Sequence, residues 1–576
     1  MSHPSELLAR SLLAALISAG VRDVVYCPGS RSAPLAYALA AAVDAGLVRA
    51  HVRIDERSAC FLAVGLSRAG RRDDSSCDDP ALRRRPAPVA IVTTSGGAVA
   101  ELHAGVAEAH HSRLPLIVVS ADRPAEMQGV GASQTTTQAG IFGPHARACL
   151  DLPADSLPGP SLSSRIGRVL ARAQGLPSGS AGPVQINIAF RDPLTPEGGS
   201  LEAPPFSLEG PAPARVHPSP PVPLEWGEAV EGGLRTVIVA GDAADPEASR
   251  WAAAARLPIL AEPTSGLAFD ELRIPFEQSL LESELAGRIE QVIVTGRPTL
   301  SRPVSALLAR RDLRVVVVDP TDEWTDVAGA AALVVPALAA PPEAPEGRIP
   351  DGAWLEQWRA LARSTGERIE GVLDAAPLSV LHAARTVWSA DSRTLFLGAS
   401  NSVRAADLVA DRGRPRRVVS NRGLAGIDGT IASAMGLALG TEEPVTALMG
   451  DLSFFHDAGA LAVPADEPTP DLLILVADDG GGGIFRGLEH GRSENAPTFT
   501  RWFATPQRTS IEGLARAHGL AYREASTQEE LRALVERAPR GVVVCRIVCS
   551  HPDELQDVKK AAQGLGLHSK RTDQIQ

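Results

Sequence analysis

The amino-acid sequence predicts an α/β protein built from three doubly wound domains with mainly parallel sheets. Three observations carry that reading. Short continuous apolar runs recur along the chain and alternate with helical stretches, the pattern of strands covered by helices on both faces. Two Pro-rich stretches, 203–226 and "ALAAPPEAPEGRIPDG" ending at 352, interrupt the alternation and read as linkers. The chain has 576 residues, too many for one ordinary core. The expected division is a first domain over 1–195, a central domain with Pro-rich flanks over 196–370, a third domain over 371–552 and a polar, weakly basic, mobile tail over 553–576.

The elements follow in order. The N-terminus reads as an amphipathic helix. "VRDVVYC" is a strand, "PGSRSAP" a loop and "LAYALAAAVDAG" a helix. "VRAHVRI", "APVAIVTT", "LPLIVVSA" and "GPVQINIAF" are further strands of the first domain, and the charged stretch 71–88 is a surface insertion. "RTVIVAGD", "EQVIVTGRPTL", "LRVVVVDP" and "AALVVP" are the strands of the central domain. After a helix near 377 come "TLFLGAS", "RRVVSNRG", "PVTALMGD", "DLLILVADDGGGGIF" and "GVVVCRIV".

Composition excludes several function classes. Hydrophobic content is 44% and charged content 22%, the balance of a globular protein, and no apolar run reaches the ~18 residues of a membrane span. The N-terminus has no basic leader, and six cysteines in so long a chain make no disulfide framework, so a cytoplasmic setting is expected. A net charge of −12 argues against wholesale nucleic-acid binding. Lysine occurs only at Lys559, Lys560 and Lys570, which removes a pyridoxal Schiff base and a P-loop from the body of the protein. There is no HExxH and no GxGxxG.

The stretch "LMGDLSFFHD" places Gly450 and then Asp451 directly after an apolar run. An acid at the end of a buried strand suits a ligand better than a core. Taken alone, a strand-end Asp that caps a helix is the commoner arrangement. The next strand, however, ends in Asp478–Asp479 after 27 intervening residues and runs into four glycines. Open α/β sheets bind ligands at the C-terminal ends of their strands. Two carboxylates and a carbonyl from the glycine run form a hard, oxygen-only site that suits Mg²⁺ with phosphate oxygens and water completing its octahedron.

This pairing resembles the metal–diphosphate motif of thiamine-diphosphate enzymes. The resemblance implies a bound thiamine diphosphate and Mg²⁺ (or Mn²⁺), with Asp451, Asp479 and Gly481 at the metal. Gly450, Leu452, Ser453, Ser400, Ile427 and Ile484 are then expected around the cofactor, Ile427 supporting its bent conformer. The departure from the commoner motif is Asp478–Asp479 in place of an Asn-containing pair, which raises the negative charge at the metal. Such an enzyme also needs a carboxylate beside N1′ of the pyrimidine. "VRIDERSACFLAVGLSR" offers Glu56 for that role, although Asp55 and Glu56 also read as a helix N-cap and first-turn acid.

Further stretches narrow the resemblance. "CPGSRSAPL", "DERSACFLAVGLSRA", "VTTSGGAVAELHAGVAEAHHSRLPLIVVSADRP", "GASQTTTQAGIFG", "GPVQINIAFRDPL" and "SNRGLAGIDGT" are similar, in order and spacing, to the 2-succinyl-5-enolpyruvyl-6-hydroxy-3-cyclohexene-1-carboxylate synthases of menaquinone biosynthesis. The match covers most of 5–550 and is weakest in the central domain. It implies a pyrimidine-binding first domain, a diphosphate-binding third domain, and an active site between two chains of a homodimer or homotetramer. The substrates implied are 2-oxoglutarate and isochorismate, joined with loss of CO₂, with no nucleic acid or membrane as partner. Their carboxylates call for arginine, whose planar fork matches them. The family positions fall on Arg31, Arg123, Arg302, Arg404 and Arg422, with Ser30, Gln134 and Ser400 as neutral donors. Ile484, Phe485 and Leu488 form the expected apolar wall. Two other readings stay open: a different thiamine-dependent 2-oxoacid decarboxylase or acetohydroxyacid-synthase-like enzyme, and a non-catalytic cofactor-binding member.

Overall fold

In a computed structural model, the described residues are 3–70, 86–196, 205–208, 210–342, 353–411, 413–414, 416–549 and 554–562. The first sheet comprises β1 (Asp23–Tyr26), β2 (Arg49–Val52), β3 (Val89–Thr93), β4 (Leu116–Asp122), β5 (Cys149–Leu152) and β6 (Val184–Ala189). The central sheet holds β7 (Thr236–Ala240), β8 (Ile259–Ala261), β9 (Gln291–Thr295), β10 (Arg314–Val318) and β11 (Ala331–Val335). The third holds β12 (Thr394–Leu397), β13 (Val418–Val419), β14 (Val445–Gly450), β15 (Leu472–Asp478), β16 (Ala521–Ala525) and β17 (Val542–Val548).

Every pairing is parallel. The orders are β2-β1-β3-β4-β6-β5, β11-β10-β9-β7-β8 and β13-β12-β14-β15-β17-β16. Counted from its own first strand, the third sheet has the same order as the first. The α/β fold expected from the alternation is therefore present three times. The apolar runs became strands because each is covered on both faces: β3, β4 and β6 are buried at every residue. The strands β5, β8 and β16 were not anticipated. β5 and β16 lie at sheet edges and are only partly buried, and β8 is three residues long, so none presents a long apolar run.

The first and third domains share one core. The helix Glu56–Ala69 packs on the helix Thr430–Thr441, each following the second strand of its own sheet. Small residues make this approach possible. A Cβ on Gly65 would lie 2.1 Å from the Ser433 carbonyl oxygen, and one on Gly436 would lie 2.1 Å from that of Leu62. The Ser433 hydroxyl donates to the Phe61 carbonyl at 3.1 Å. Phe61, Leu62 and Leu66 are fully buried there, each worth about 1.5–3 kcal/mol of apolar burial. Gly429 at φ +57° starts the second helix, where any Cβ would fall on the Phe61 ring.

Parts of the Pro-rich stretch lie along the first domain: Phe206 is buried under the Arg10 guanidinium, and the Ser163 hydroxyl donates to the Pro211 carbonyl at 2.6 Å. Most of the 71–88 insertion and of the linker ending at 352 lies outside the described residues. One expectation is corrected. Within the stretch expected as a polar, mobile tail, residues Glu554–Ala562 form a helix against the helix Ala353–Ala375. Val558 and Ala562 are buried in the third-domain core, and Arg368 donates to the Ala561 and Ala562 carbonyls, both at 3.0 Å. The apolar positions are too few for this helix to be conspicuous in a polar sequence. Among the described residues no helix is long and apolar enough to cross a membrane.

Candidate active site

Asp451 is the first residue of the helix Asp451–His456, directly after β14. Asp479 follows β15. These strands are neighbours, with Gly450 opposite Ala477, so both acids leave the same edge of the sheet together. Asp451 is only 3% exposed and accepts the Leu452 N–H at 2.7 Å. Burial, and then the charge of Asp479, pushes its carboxyl up to about 7. Burial, with Asp478 adding to it, pushes Asp479 up to about 6. Two partly protonated acids held this close are relieved by a cation.

Asp478 adds its charge to the pair, raising both carboxyls further, but is itself paired. Its carboxylate takes the Arg546 Nε at 2.6 Å, so its charge is answered from β17. The glycines are required by geometry. Gly480 and Gly481 have φ of +78° and +128°, and a Cβ on Gly481 would meet the Ala504 carbonyl oxygen at 2.1 Å. At Gly450, by contrast, nothing lies within 4 Å of the Cβ position, leaving room beside the carboxylates. Among the described residues no three His, Cys, Asp or Glu side chains gather as a metal cage. Two carboxylates with backbone oxygens and open space fit Mg²⁺ that draws its remaining ligands from a diphosphate and water. Leu452 and Ser453 lie in the same short helix.

The remaining third-domain residues sit on the same edge. Ser400 precedes the helix Asn401–Val409 after β12, and Arg404 lies in its first turn, donating to the Ala399 and Ser400 carbonyls at 3.0 and 2.8 Å. Arg422 follows β13, is 4% exposed and donates to the Thr299 hydroxyl at 3.1 Å. Its Nε and Nη1 are buried without a partner. Burial and the nearby Arg422 charge both lower the Arg404 pKa. Ile427 accepts from the Thr430 hydroxyl at 3.0 Å. Ile484 and Phe485 lie in the 3₁₀ turn Gly483–Gly487, with Leu488 next and Phe485 against the Phe503 ring. Arg302 of the central domain reaches this segment through Glu489 at 3.4 Å, with a largely exposed side chain.

The first-domain residues gather at the C-terminal edge of their own sheet. Arg31 is 9% exposed and donates to the Phe190 carbonyl at 2.9 Å. Burial lowers its pKa, with the Arg123 charge lowering it further. Arg123 donates to the Ser95 hydroxyl at 2.5 Å and to the Gln134 carbonyl at 3.1 Å. Ser30 is exposed in the loop before Arg31. Glu56 opens the helix after β2, with Asp55 as its N-cap accepting from the Ser58 N–H at 3.1 Å. Asp55 thus takes the capping role, and Glu56 is left half-buried near Cys27. Among the described residues no hydrogen bond or ion pair joins Glu56, Ser30, Arg31 or Gln134 of this chain to the Asp451–Asp479 pair.

The comparisons bear on this geometry. Residues 7–141 match the thiamine pyrophosphate enzyme N-terminal TPP binding domain, and 398–547 match the C-terminal TPP binding domain. The chain is 44% identical to the 2-succinyl-5-enolpyruvyl-6-hydroxy-3-cyclohexene-1-carboxylate synthase of Kineococcus radiotolerans, over 95% of this chain and 96% of that protein. The chain belongs to this synthase family. The synthases of a Nocardioides species and of Renibacterium salmoninarum are each 40% identical, over 97% and 94% of this chain and 97% and 93% of their own lengths. Members of the family are thiamine-dependent enzymes, and the cofactor is thiamine diphosphate.

Three buried acids escaped sequence reasoning. Glu108 accepts the Gly423 and Leu424 N–H groups at 2.9 and 2.7 Å and so fixes the loop that carries Arg422. Asp457 is fully buried and accepts the Ala432 N–H at 2.9 Å. Glu262 directly follows β8 and accepts the Leu300 N–H, next to Thr299, at 2.8 Å. Each is an isolated acid in an apolar stretch; "AGVAEAHH" and "ILAEPTSG" carried that signal.

Proposed function

We propose that this protein uses thiamine diphosphate and Mg²⁺ to decarboxylate 2-oxoglutarate and to add the succinyl unit to isochorismate. The products are CO₂ and the compound for which its relatives are named. The observation that carries this reading is the pair of buried Asp451 and half-buried Asp479, raised in pKa and open at Gly450, together with the buried, incompletely paired Arg422 on the same sheet edge.

Thiamine diphosphate supplies a nucleophilic carbon and an electron sink for the carboxylate that leaves. The chain's own groups do the rest. Asp451 and Asp479, with the Gly481 backbone, hold the metal, and Gly450, Leu452 and Ser453 line the diphosphate. Glu56 would hold the pyrimidine N1′ of the bound cofactor and so favour its reactive tautomer. Ile427 and Ile484 brace the cofactor. Arg404, Arg422 and Ser400 orient one substrate's carboxylates; Arg31, Arg123, Ser30 and Gln134 face the other, and Arg302 stands at the entrance. Ile484, Phe485 and Leu488 exclude water from the forming bond.

Residues 1–195 form the pyrimidine-binding domain and 371–552 the diphosphate-binding domain, with 196–370 between them. A second copy, bringing its Glu56 and Arg31 to Asp451 of the first, completes the site, so the working unit is a homodimer or a pair of dimers in the cytoplasm. An enzyme for a small 2-oxoacid would have little use for five site arginines. The non-catalytic reading leaned on Asp478–Asp479 standing in place of an Asn-containing pair; Arg546 pairs with Asp478 of these two.

The test is a mass-spectrometric product assay with thiamine diphosphate, Mg²⁺, 2-oxoglutarate and isochorismate, and with pyruvate as the alternative donor. A succinyl adduct of the ring acid that depends on both cofactors is expected. CO₂ release without a ring adduct refutes the isochorismate half, and cofactor binding without turnover on any 2-oxoacid refutes the catalytic reading.

A further inference from the structure

Glu262 and Arg422 reach the same turn from different domains. Glu262 directly follows β8, its N–H bonded to the Ala240 carbonyl at 2.9 Å, and its Oε1 accepts the Leu300 N–H at 2.8 Å. Arg422 donates from Nη2 to the hydroxyl of Thr299, the preceding residue. Both side chains are almost wholly buried. Glu262 keeps Oε2 without a donor, and Arg422 keeps Nε and Nη1 without an acceptor. A buried acceptor and two buried donors left open beside one another mark a place prepared for a third group.

We propose that Glu262 of the central domain is a positioning residue for Arg422, its carboxyl group competing with a substrate carboxylate for the guanidinium. This rests on the reading of Arg422 as a substrate ligand. Protonated Glu262 leaves Arg422 free to take the incoming anion; ionised Glu262 claims the guanidinium for itself. A substrate anion at Arg422 and a charge on Glu262 exclude each other, so binding takes up a proton wherever Glu262 is ionised in the free protein.

The groups facing Glu262 set where that happens. They are Arg422 and Arg404 from the third domain, Asp407 on the helix of Arg404, and Asp242 at the end of β7, itself paired with Arg297 at 2.5 Å. Burial pushes Glu262 up to about 8, against the Leu300 N–H and the Arg422 charge. The central domain thereby tunes substrate affinity without touching the cofactor.

The test is the pH dependence of kcat and of KM for each substrate between pH 7 and 9. With the ionised form unable to bind, KM of the substrate held by Arg422 rises about tenfold over that range while kcat changes little. Glu262→Gln, which cannot ionise, flattens the rise to less than about twofold. Calorimetry of wild-type binding at pH 8.5, in buffers of different ionisation enthalpy, shows proton uptake that Glu262→Gln lacks. An Arg422→Ala variant separates the two ideas. If it leaves both KM values unchanged, the substrate reading of Arg422 fails. If it raises KM while Glu262→Gln keeps the wild-type pH profile, the role of Glu262 is overturned. Absence of proton uptake by the wild type overturns it too, whether or not the variant folds.

Discussion

Replacing Gly65 by Ala tests the contact that fastens the first domain to the third. The new Cβ would lie 2.1 Å from the Ser433 oxygen, 2.8 Å from its carbonyl carbon and 2.9 Å from the Leu437 nitrogen. All three are backbone atoms of the facing helix, so no side chain can rotate away. Ordinary contact begins at 3.4 Å, so the helices must part by about 1.3 Å. Alanine contributes about 1 kcal/mol of helix propensity over glycine. Against this stand about 1–3 kcal/mol of overpacking and about 1 kcal/mol for the Ser433–Phe61 hydrogen bond as the helices separate. The net expectation is a loss of about 1–3 kcal/mol, read by denaturant unfolding. Gly371→Ala is the control: that glycine lies in the helix Ala353–Ala375 with nothing within 4 Å of its Cβ position, and stability should stay level or rise. Gly65→Ala at wild-type stability would falsify the account of this contact.

Three further outcomes are expected. Glu56→Gln should cut turnover by about 100-fold or more while cofactor affinity, followed by fluorescence titration, stays within a few-fold; near-native turnover would remove Glu56 from its role. Asp451 and Asp479 have folded-state pKa values raised above their unfolded ones, so their contribution to metal-free stability is present at acid pH and is lost as pH rises through about 6 to about 7. Both must shed protons to bind Mg²⁺, so calorimetric metal affinity should fall about 20-fold from pH 8 to pH 6, and less so in Asp479→Asn. Arg368→Ala should loosen the helix Glu554–Ala562 and speed cleavage by a lysine-specific protease at Lys559 and Lys560; no lysine precedes Lys559, so all other cutting is confined to Lys570.

Much of this was legible in the sequence. Buried parallel strands read as uninterrupted apolar runs, so the three sheets stood out, and the Asp451–Asp479 spacing follows from two adjacent strands of one βαβ unit. What escaped has physical causes. The short or edge strands β5, β8 and β16 present little continuous apolar face. Of the charge expected from the Asp478–Asp479 pair, the Asp478 part is met by Arg546, 68 positions away on β17. Glu108 binds backbone of the third domain, while Glu262 and Asp457 take N–H groups 38 and 25 positions away, contacts that no local pattern encodes.

The identical strand order of the first and third sheets has one more consequence. The helices that meet at Gly65 and Gly436 are equivalent elements of two copies of one architecture, so the junction is an internal pseudo-dimer within a single chain. After the third strand the later copy carries Gly450–Asp451, where the earlier copy has Thr94 and Ser95. After the second strand the earlier copy begins its helix with an acid, where the later one has Gly429 and Thr430. A duplicated scaffold lets each copy discard what the other retains. Here Asp451 stands in one half and Glu56 in the other, so on the proposed function neither half works alone.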